Sequence, residues 1–363
     1  MTTPADTTTY LLTGGGTAGH VNPLLAVADG LRDRDPAARI LVLGTREGLE
    51  ARLVPARGYE LLLVDKVPFP RRPNAAAARF PARFSRAIAQ VRGHLRAHGV
   101  DAVAGFGGYA SAPAYVAARR ERVPYVVHEA NAKPGLANIL GARGAAASGT
   151  VFDGTPLRGA RVVGMPLRRE IVDLDRHALR AEAAVAFGLD PARPVLLVFG
   201  GSLGARRINE AVAGSWQAVV ESGWQILHAA GERNEIVNPG HRDYRIVPYL
   251  DRMDLAFALA DVVVSRSGAA TVSEVSALGI PAVYVPYAVG NGEQALNAAS
   301  AVRAGAARLI PDAELTPERV RSEIVPLLSD AAALAAMRAA AQETGTRRGT
   351  ENVIALIDGA LGR

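Results

Sequence analysis

The chain has 363 residues, 49% hydrophobic and 21% charged, enough for two packed cores and too apolar for a disordered protein. It has no cysteine, which excludes disulfide scaffolds, thiol nucleophiles and thiolate metal sites and fits a reducing compartment. Net charge is +6, but eight basic residues and no acid fall between Lys66 and Val100, so basicity is one local patch; with 5% aromatics, nucleic acid is not an expected partner.

The opening stretch Met1–Tyr10 has no basic region followed by an apolar one, and no run approaches the roughly 18 apolar residues of a membrane span. A soluble protein on the cytoplasmic side is expected. Short apolar runs then alternate with helix-period segments along the whole chain, the pattern of α/β domains with parallel sheets. Strands are predicted at Tyr10–Thr13, Ile40–Gly44, Glu60–Val64, Ala102–Gly105, Tyr125–His128 and Arg161–Val163. A second series runs through Val195–Phe199, Gln225–His228, Arg245–Val247, Val262–Ser265 and Ala282–Val285. Each series opens with a strand, a glycine cluster and a helix: Leu12-Thr13-Gly14-Gly15-Gly16-Thr17-Ala18-Gly19-His20 in the first and Phe199-Gly200-Gly201-Ser202-Leu203-Gly204-Ala205 in the second. Two Rossmann-like, doubly wound halves facing a central cleft are the natural reading. The first is expected over residues 1–168, with a C-terminal helix of 347–363 packing back on it, and the second over 169–346.

Gly14, Gly16 and Gly19 spell GxGxxG, the spacing of a dinucleotide fingerprint. A nicotinamide dinucleotide also needs an acid at the end of the second strand, and Leu43-Gly44-Thr45 supplies none. What remains is the physics that both loops share: glycines admit a ligand to the backbone, and helix N-terminal N–H groups attract anions such as a diphosphate. His20 falls in the first turn of its helix. The positive helix end disfavours imidazolium, so a neutral ring able to accept a proton is expected. The acid pairs Asp33/Asp35 and Asp173/Asp175 read as solvated surface, and no metal is expected to be obligatory.

In chain order, Thr13–Pro23, Gly105–Tyr109, His128–Asn131, Gly164–Arg168, Gly200–Ala205, Arg266–Glu274 and Asn291–Ala298 together resemble the MurG family, within glycosyltransferase family 28. The resemblance covers nearly the whole chain. It implies a GT-B fold and an inverting transfer of N-acetylglucosamine (GlcNAc) from UDP-GlcNAc to the 4-hydroxyl of N-acetylmuramic acid in lipid I, the undecaprenyl-pyrophosphoryl muramyl pentapeptide. The product would be lipid II, the precursor of peptidoglycan. By the same resemblance Ser202 donates to a phosphate oxygen, Glu274 accepts from the ribose hydroxyls, Leu250 reads uracil through its backbone, and Ala269, Ala270, Thr271, Val272 and Ser273 line the donor pocket. Arg168 contacts the nucleotide, Asn131 and Gln294 orient the sugar hydroxyls, and Thr17, Ala18 and Gly19 approach the diphosphate and acceptor. His20 is the candidate base and Glu129 a weaker one. Leu203, Glu293 and Ala18 depart from the residues common in the family.

A lipid-linked acceptor implies docking at an anionic inner-leaflet surface, as a peripheral protein. Phe80, Phe84, Ile88 and Val91 share a helical stripe flanked by Arg79, Arg83 and Arg86, with Phe69, Arg71 and Arg72 just before it. The stripe is read either as a membrane face or as core packing beneath a solvated basic face. The alternatives to the preferred activity are another GT-B glycosyltransferase acting on a glycolipid or natural product, a UDP-GlcNAc 2-epimerase, and a noncatalytic sugar-nucleotide or membrane-docking module.

Overall fold

The computed structural model describes residues 7–70, 75–201, 204–232, 234, 236–287 and 292–363. Arg71, Arg72, Ser202, Leu203 and Asn291 therefore lie outside the described residues. The chain divides into two compact units, residues 1–168 with 347–363, and residues 169–346.

The first unit carries seven strands: β1 (Thr9–Thr13), β2 (Arg39–Gly44), β3 (Glu60–Leu63), β4 (Ala102–Gly105), β5 (Tyr125–Glu129), β6 (Ala147–Thr150) and β7 (Ala160–Val162). They form one all-parallel sheet in the order β3-β2-β1-β4-β5-β6-β7. Successive side chains alternate between faces, and both faces are covered. Tyr10, Leu12, Ile40 and Val42 pack on one side, and Leu11, Leu41 and Leu43 on the other. The helix Gly349–Leu361 closes the first of these cores, burying Val353, Ile354, Leu356 and Ile357. Each such side chain contributes about 1.5–3 kcal/mol, which ties the end of the chain to its beginning.

The second unit carries β8 (Val195–Phe199), β9 (Gln225–Ala229), β10 (Tyr244–Val247), β11 (Val262–Ser265), β12 (Ala282–Tyr284) and β13 (Ala307–Leu309), also all parallel, in the order β10-β9-β8-β11-β12-β13. Counted within its own unit, each sheet contains the 3-2-1-4-5-6 order of a doubly wound dinucleotide fold. The strand order reverses between β1 and β4 in one unit and between β8 and β11 in the other. Ligands in such sheets bind beyond the carboxyl ends of the strands at that reversal, which is where both glycine clusters fall.

The structure also places the stripe that sequence left open between core and membrane. Ile88 and Val91 are core residues of the helix Ala75–His98, at 4% and 0% exposure. Phe80 and Phe84 are half-buried, pack at the edge of that core and stack at 5.3 Å, with Phe69 5.5 and 6.1 Å from them. Arg79, Arg83 and Arg86 are exposed. Among the described residues no single helix is long and apolar enough to cross a membrane.

Candidate active site

In the first unit the chain leaves β1 through Gly14–Thr17 into the helix Ala18–Arg34, with Thr17 and Ala18 exposed and Gly19 and His20 half-buried. The His20 ring turns back on the loop, its Nδ1 lying 3.0 Å from the Gly15 carbonyl oxygen and 3.3 Å from Thr17 Oγ1. A carbonyl only accepts, so Nδ1 carries a proton in that contact, and in the neutral ring the lone pair is then on Nε2. The next loop at the strand reversal follows β4. Its Gly108 has φ +86°, and a Cβ there would come within 2.5 Å of the Gly15 oxygen, so only glycine lets the two loops meet. Beside it, a Cβ on Gly107 would lie 3.2 Å from His20 Nε2 and 3.3 Å from Asn138 Nδ2. Glycine therefore leaves open space at the ring nitrogen that can take a proton.

Asn138 links this corner to the end of β5. It is buried, donates to Glu129 Oε2 at 2.9 Å and accepts from the Tyr115 hydroxyl at 2.8 Å. Glu129, at 2% exposure, also accepts from the Asn131 and Gly135 backbone N–H groups at 2.9 Å each. With three N–H donors on its two oxygens, this carboxylate shapes the 129–138 turn and presents Asn131; it is poorly placed to take a substrate proton. Asn138 itself carries no sequence signal, because one amide in a short helix of small and apolar residues reads as incidental. Arg168, half-buried, stands at the end of the first unit's main segment. His128 precedes this turn: its Nε2 donates to the Gly164 carbonyl at 3.0 Å, and burial holds the imidazole below its usual 6.5.

In the second unit a cavity of about 660 Å³ opens at the β8/β11 reversal. Gly200, Gly201 and Gly204 form one wall, and Gly204 is irreplaceable there: its φ is +73° and a Cβ would fall 2.0 Å from the Ala230 carbonyl oxygen. Arg206, Arg207 and Arg266 line it against Glu210 and Asp312. Asp312 accepts from Arg266 at 2.5 Å and pairs with Arg207 at 3.3 Å, so one buried-side acid orients two guanidinium groups. A cavity with excess arginine beside a glycine loop suits a diphosphate.

Across that cavity Gly268 caps the helix Ala269–Ala277. Thr271 lines the cavity with Gly268, whereas Ala269 and Val272 turn their side chains into the core and Ser273 bonds back to the Ala269 carbonyl at 2.8 Å. Of this helix and its cap, Gly268 and Thr271 line the cavity, while Ala270 and Glu274 are half-buried on the same helix. Gln294 lines the cavity as well, its Oε1 accepting from the Tyr287 N–H at 2.8 Å, which leaves the amide NH₂ for a ligand. Leu250 is buried, just ahead of the helix Met253–Leu259. Asp173 and Asp175 have structural partners: Asp173 pairs with Arg169 at 3.7 Å, and Asp175 caps the helix Arg176–Phe187. Asp35 accepts from the Ala37 N–H.

Comparison with known proteins finds matches in both halves of the chain. The glycosyltransferase family 28 N-terminal domain matches residues 10–149 and the C-terminal domain of the same family matches residues 195–353. A protein of Clavibacter sepedonicus named UDP-N-acetylglucosamine--N-acetylmuramyl-(pentapeptide) pyrophosphoryl-undecaprenol N-acetylglucosamine transferase is 59% identical over 98% of this chain and 97% of its own. One of the same name from Leifsonia xyli is 59% identical over 96% and 98%. The crystal structure of MurG from Acinetobacter baumannii superposes with a TM-score of 0.80 at 28% identity, covering 97% of this chain and 99% of that one. With both halves matched in order, the chain belongs to glycosyltransferase family 28.

Proposed function

We propose that the chain is the inverting transferase that moves GlcNAc from UDP-GlcNAc to the 4-hydroxyl of the muramic acid of lipid I, releasing UDP and completing lipid II. The observation that carries this reading is that the match to relatives bearing that name, at 59% identity, covers 96–98% of the chain and so runs through both units.

The donor's diphosphate belongs in the second unit's cavity, against the Gly200–Gly204 loop, with Ser202 and the arginine pair around Asp312 as donors. As the glycosidic bond breaks, negative charge grows on the departing UDP, and preorganised N–H, O–H and guanidinium donors stabilise it there. Glu274 accepts from the ribose hydroxyls, the backbone at Leu250 meets uracil, Arg168 reaches the nucleotide, and the Asn131 and Gln294 amides hold the sugar hydroxyls. In the first unit, His20, with Nδ1 on the Gly15 carbonyl, takes the proton of the attacking hydroxyl at Nε2, and Thr17, Ala18 and Gly19 approach the diphosphate and acceptor. Glu129 serves this step by holding the 129–138 turn. The reading invokes no cofactor and no obligatory metal.

The acceptor's polyprenyl tail requires a membrane surface. The Phe69, Phe80 and Phe84 cluster with exposed Arg79 and Arg83 is the proposed contact, together with Arg71 and Arg72 on an anionic cytoplasmic leaflet. The test of the function is transfer of radiolabelled GlcNAc to a lipid I analogue: label entering the lipid product with UDP-GlcNAc supports it. Consumption of UDP-GlcNAc without acceptor, or transfer only from another sugar nucleotide, overturns it in favour of an epimerase or of a different GT-B glycosyltransferase.

A further inference from the structure

Glu50 is fully buried at the start of the helix Glu50–Ala56 in the first unit, at 0% exposure. A carboxylate in such a place is costly unless it is hydrogen-bonded. Here Oε1 accepts from both the backbone N–H and the hydroxyl of Thr45, and Oε2 from the Gly16 N–H, each at 2.9 Å. The surroundings are cut to fit it: a Cβ on Gly15, Gly44 or Gly48 would come within 2.3, 2.4 or 2.0 Å of its side chain.

The Gly16 N–H that Glu50 holds belongs to the same peptide unit as the Gly15 carbonyl that His20 Nδ1 contacts at 3.0 Å. The peptide is a resonance-coupled plane, so an anion on its N–H side raises electron density on its oxygen and strengthens that oxygen as an acceptor. The row Nδ1–H, Gly15 carbonyl, Gly16 N–H, Glu50 carboxylate repeats the logic by which a buried acid fixes the tautomer of a catalytic histidine, with a peptide bond inserted between them. We infer that Glu50 is a positioning residue that acts through the Gly15–Gly16 peptide to hold His20 in its Nδ1–H form. Nε2 then keeps the lone pair that takes the acceptor's hydroxyl proton, and the imidazolium so formed points its Nδ1–H along the same row. This rests on His20 being the base. The competing local partner is Thr17 Oγ1, 3.3 Å from Nδ1, whose hydroxyl would favour the opposite tautomer if it donated.

The experiment is nitrogen-15 NMR of the full chain labelled at histidine, with the signal of His20 assigned by loss in H20A, alongside steady-state kinetics. In the unmodified protein the neutral ring is expected to be mainly Nδ1–H; a ring that is mainly Nε2–H overturns the inference without any variant. In Glu50→Gln, and in Glu50→Asp if the first does not fold, the Nδ1–H share is expected to fall below half. Their kcat should drop roughly 10–100-fold, with KM for UDP-GlcNAc changing less than about twofold. An unchanged tautomer with unchanged kcat overturns the relay while leaving His20 as base. Full turnover in H20A overturns the base assignment itself, and with it this inference.

Discussion

The two glycine loops grow from the same local design, a parallel strand turning into a helix at the reversal of strand order, and are finished in opposite ways. The first is braced from beneath by an acid: Glu50 grips Gly16 and Thr45, Gly108 presses against Gly15, and His20 folds back on the same carbonyl. The second is faced with bases, since Arg206, Arg207 and Arg266 line the cavity beside Gly200, Gly201 and Gly204. The difference teaches that a glycine-rich turn does not by itself announce an anion site. The charge set around it decides whether the loop serves a proton-accepting side chain or a phosphate.

The largest expected effect breaks the first loop's role. His20→Ala should lower kcat by about 10²–10⁴-fold while KM for UDP-GlcNAc changes less than about twofold; an equal loss of donor affinity would show that the two loops do not divide the work. Glu274→Ala should do the reverse, weakening UDP binding in calorimetry by about 10–100-fold, the range for hydrogen bonds to a charged group. A purely catalytic defect there would contradict its assignment to the ribose.

Buried histidines sharpen the comparison through pH. In the second unit His228 contacts the Tyr244 hydroxyl through Nδ1 at 2.9 Å and Asn209 Oδ1 through Nε2 at 3.0 Å, and burial lowers its pKa from 6.5 to about 4. Its folded value lies below its unfolded one, so its contribution is complete above pH 6.5 and is lost as pH falls toward 4. Denaturant unfolding of the second unit should therefore lose about 2 kcal/mol between pH 7 and pH 5. His128, lowered by burial in the first unit, shifts that unit in the same direction. Flat stability from pH 7 to 5 in His228-containing protein would contradict the buried neutral ring. The smallest effect concerns the basic patch: Arg79→Glu with Arg83→Glu should cost about 1 kcal/mol per residue in binding to anionic vesicles. Undiminished flotation would remove that patch from the membrane contact.

Strand positions were mostly legible because parallel strands buried on both faces are continuous apolar runs. The two exceptions have separate causes. Strand β6, Ala-Ser-Gly-Thr, has no large apolar residue because Val163 and Leu356 pack so close that a Cβ on Gly149 would lie 2.6 and 2.9 Å from them. Strand β13 is three residues at a sheet edge. Both ends of the GxGxxG spelling were visible, yet Glu50 was not, since an acid opening a short helix looks solvated until the glycines around it are seen to make room for it. The helix stripe from Phe80 to Val91 was ambiguous for a physical reason as well: its first two residues edge the core and its last two are in it.

The central claim is the division of labour, with the nucleotide held by the second unit and the proton acceptor by the first. A crystal structure with UDP bound tests it most directly. The account predicts the diphosphate against the Gly200–Gly204 loop and the ribose hydroxyls on Glu274; uridine seated instead on the Gly14–Gly19 loop would contradict it.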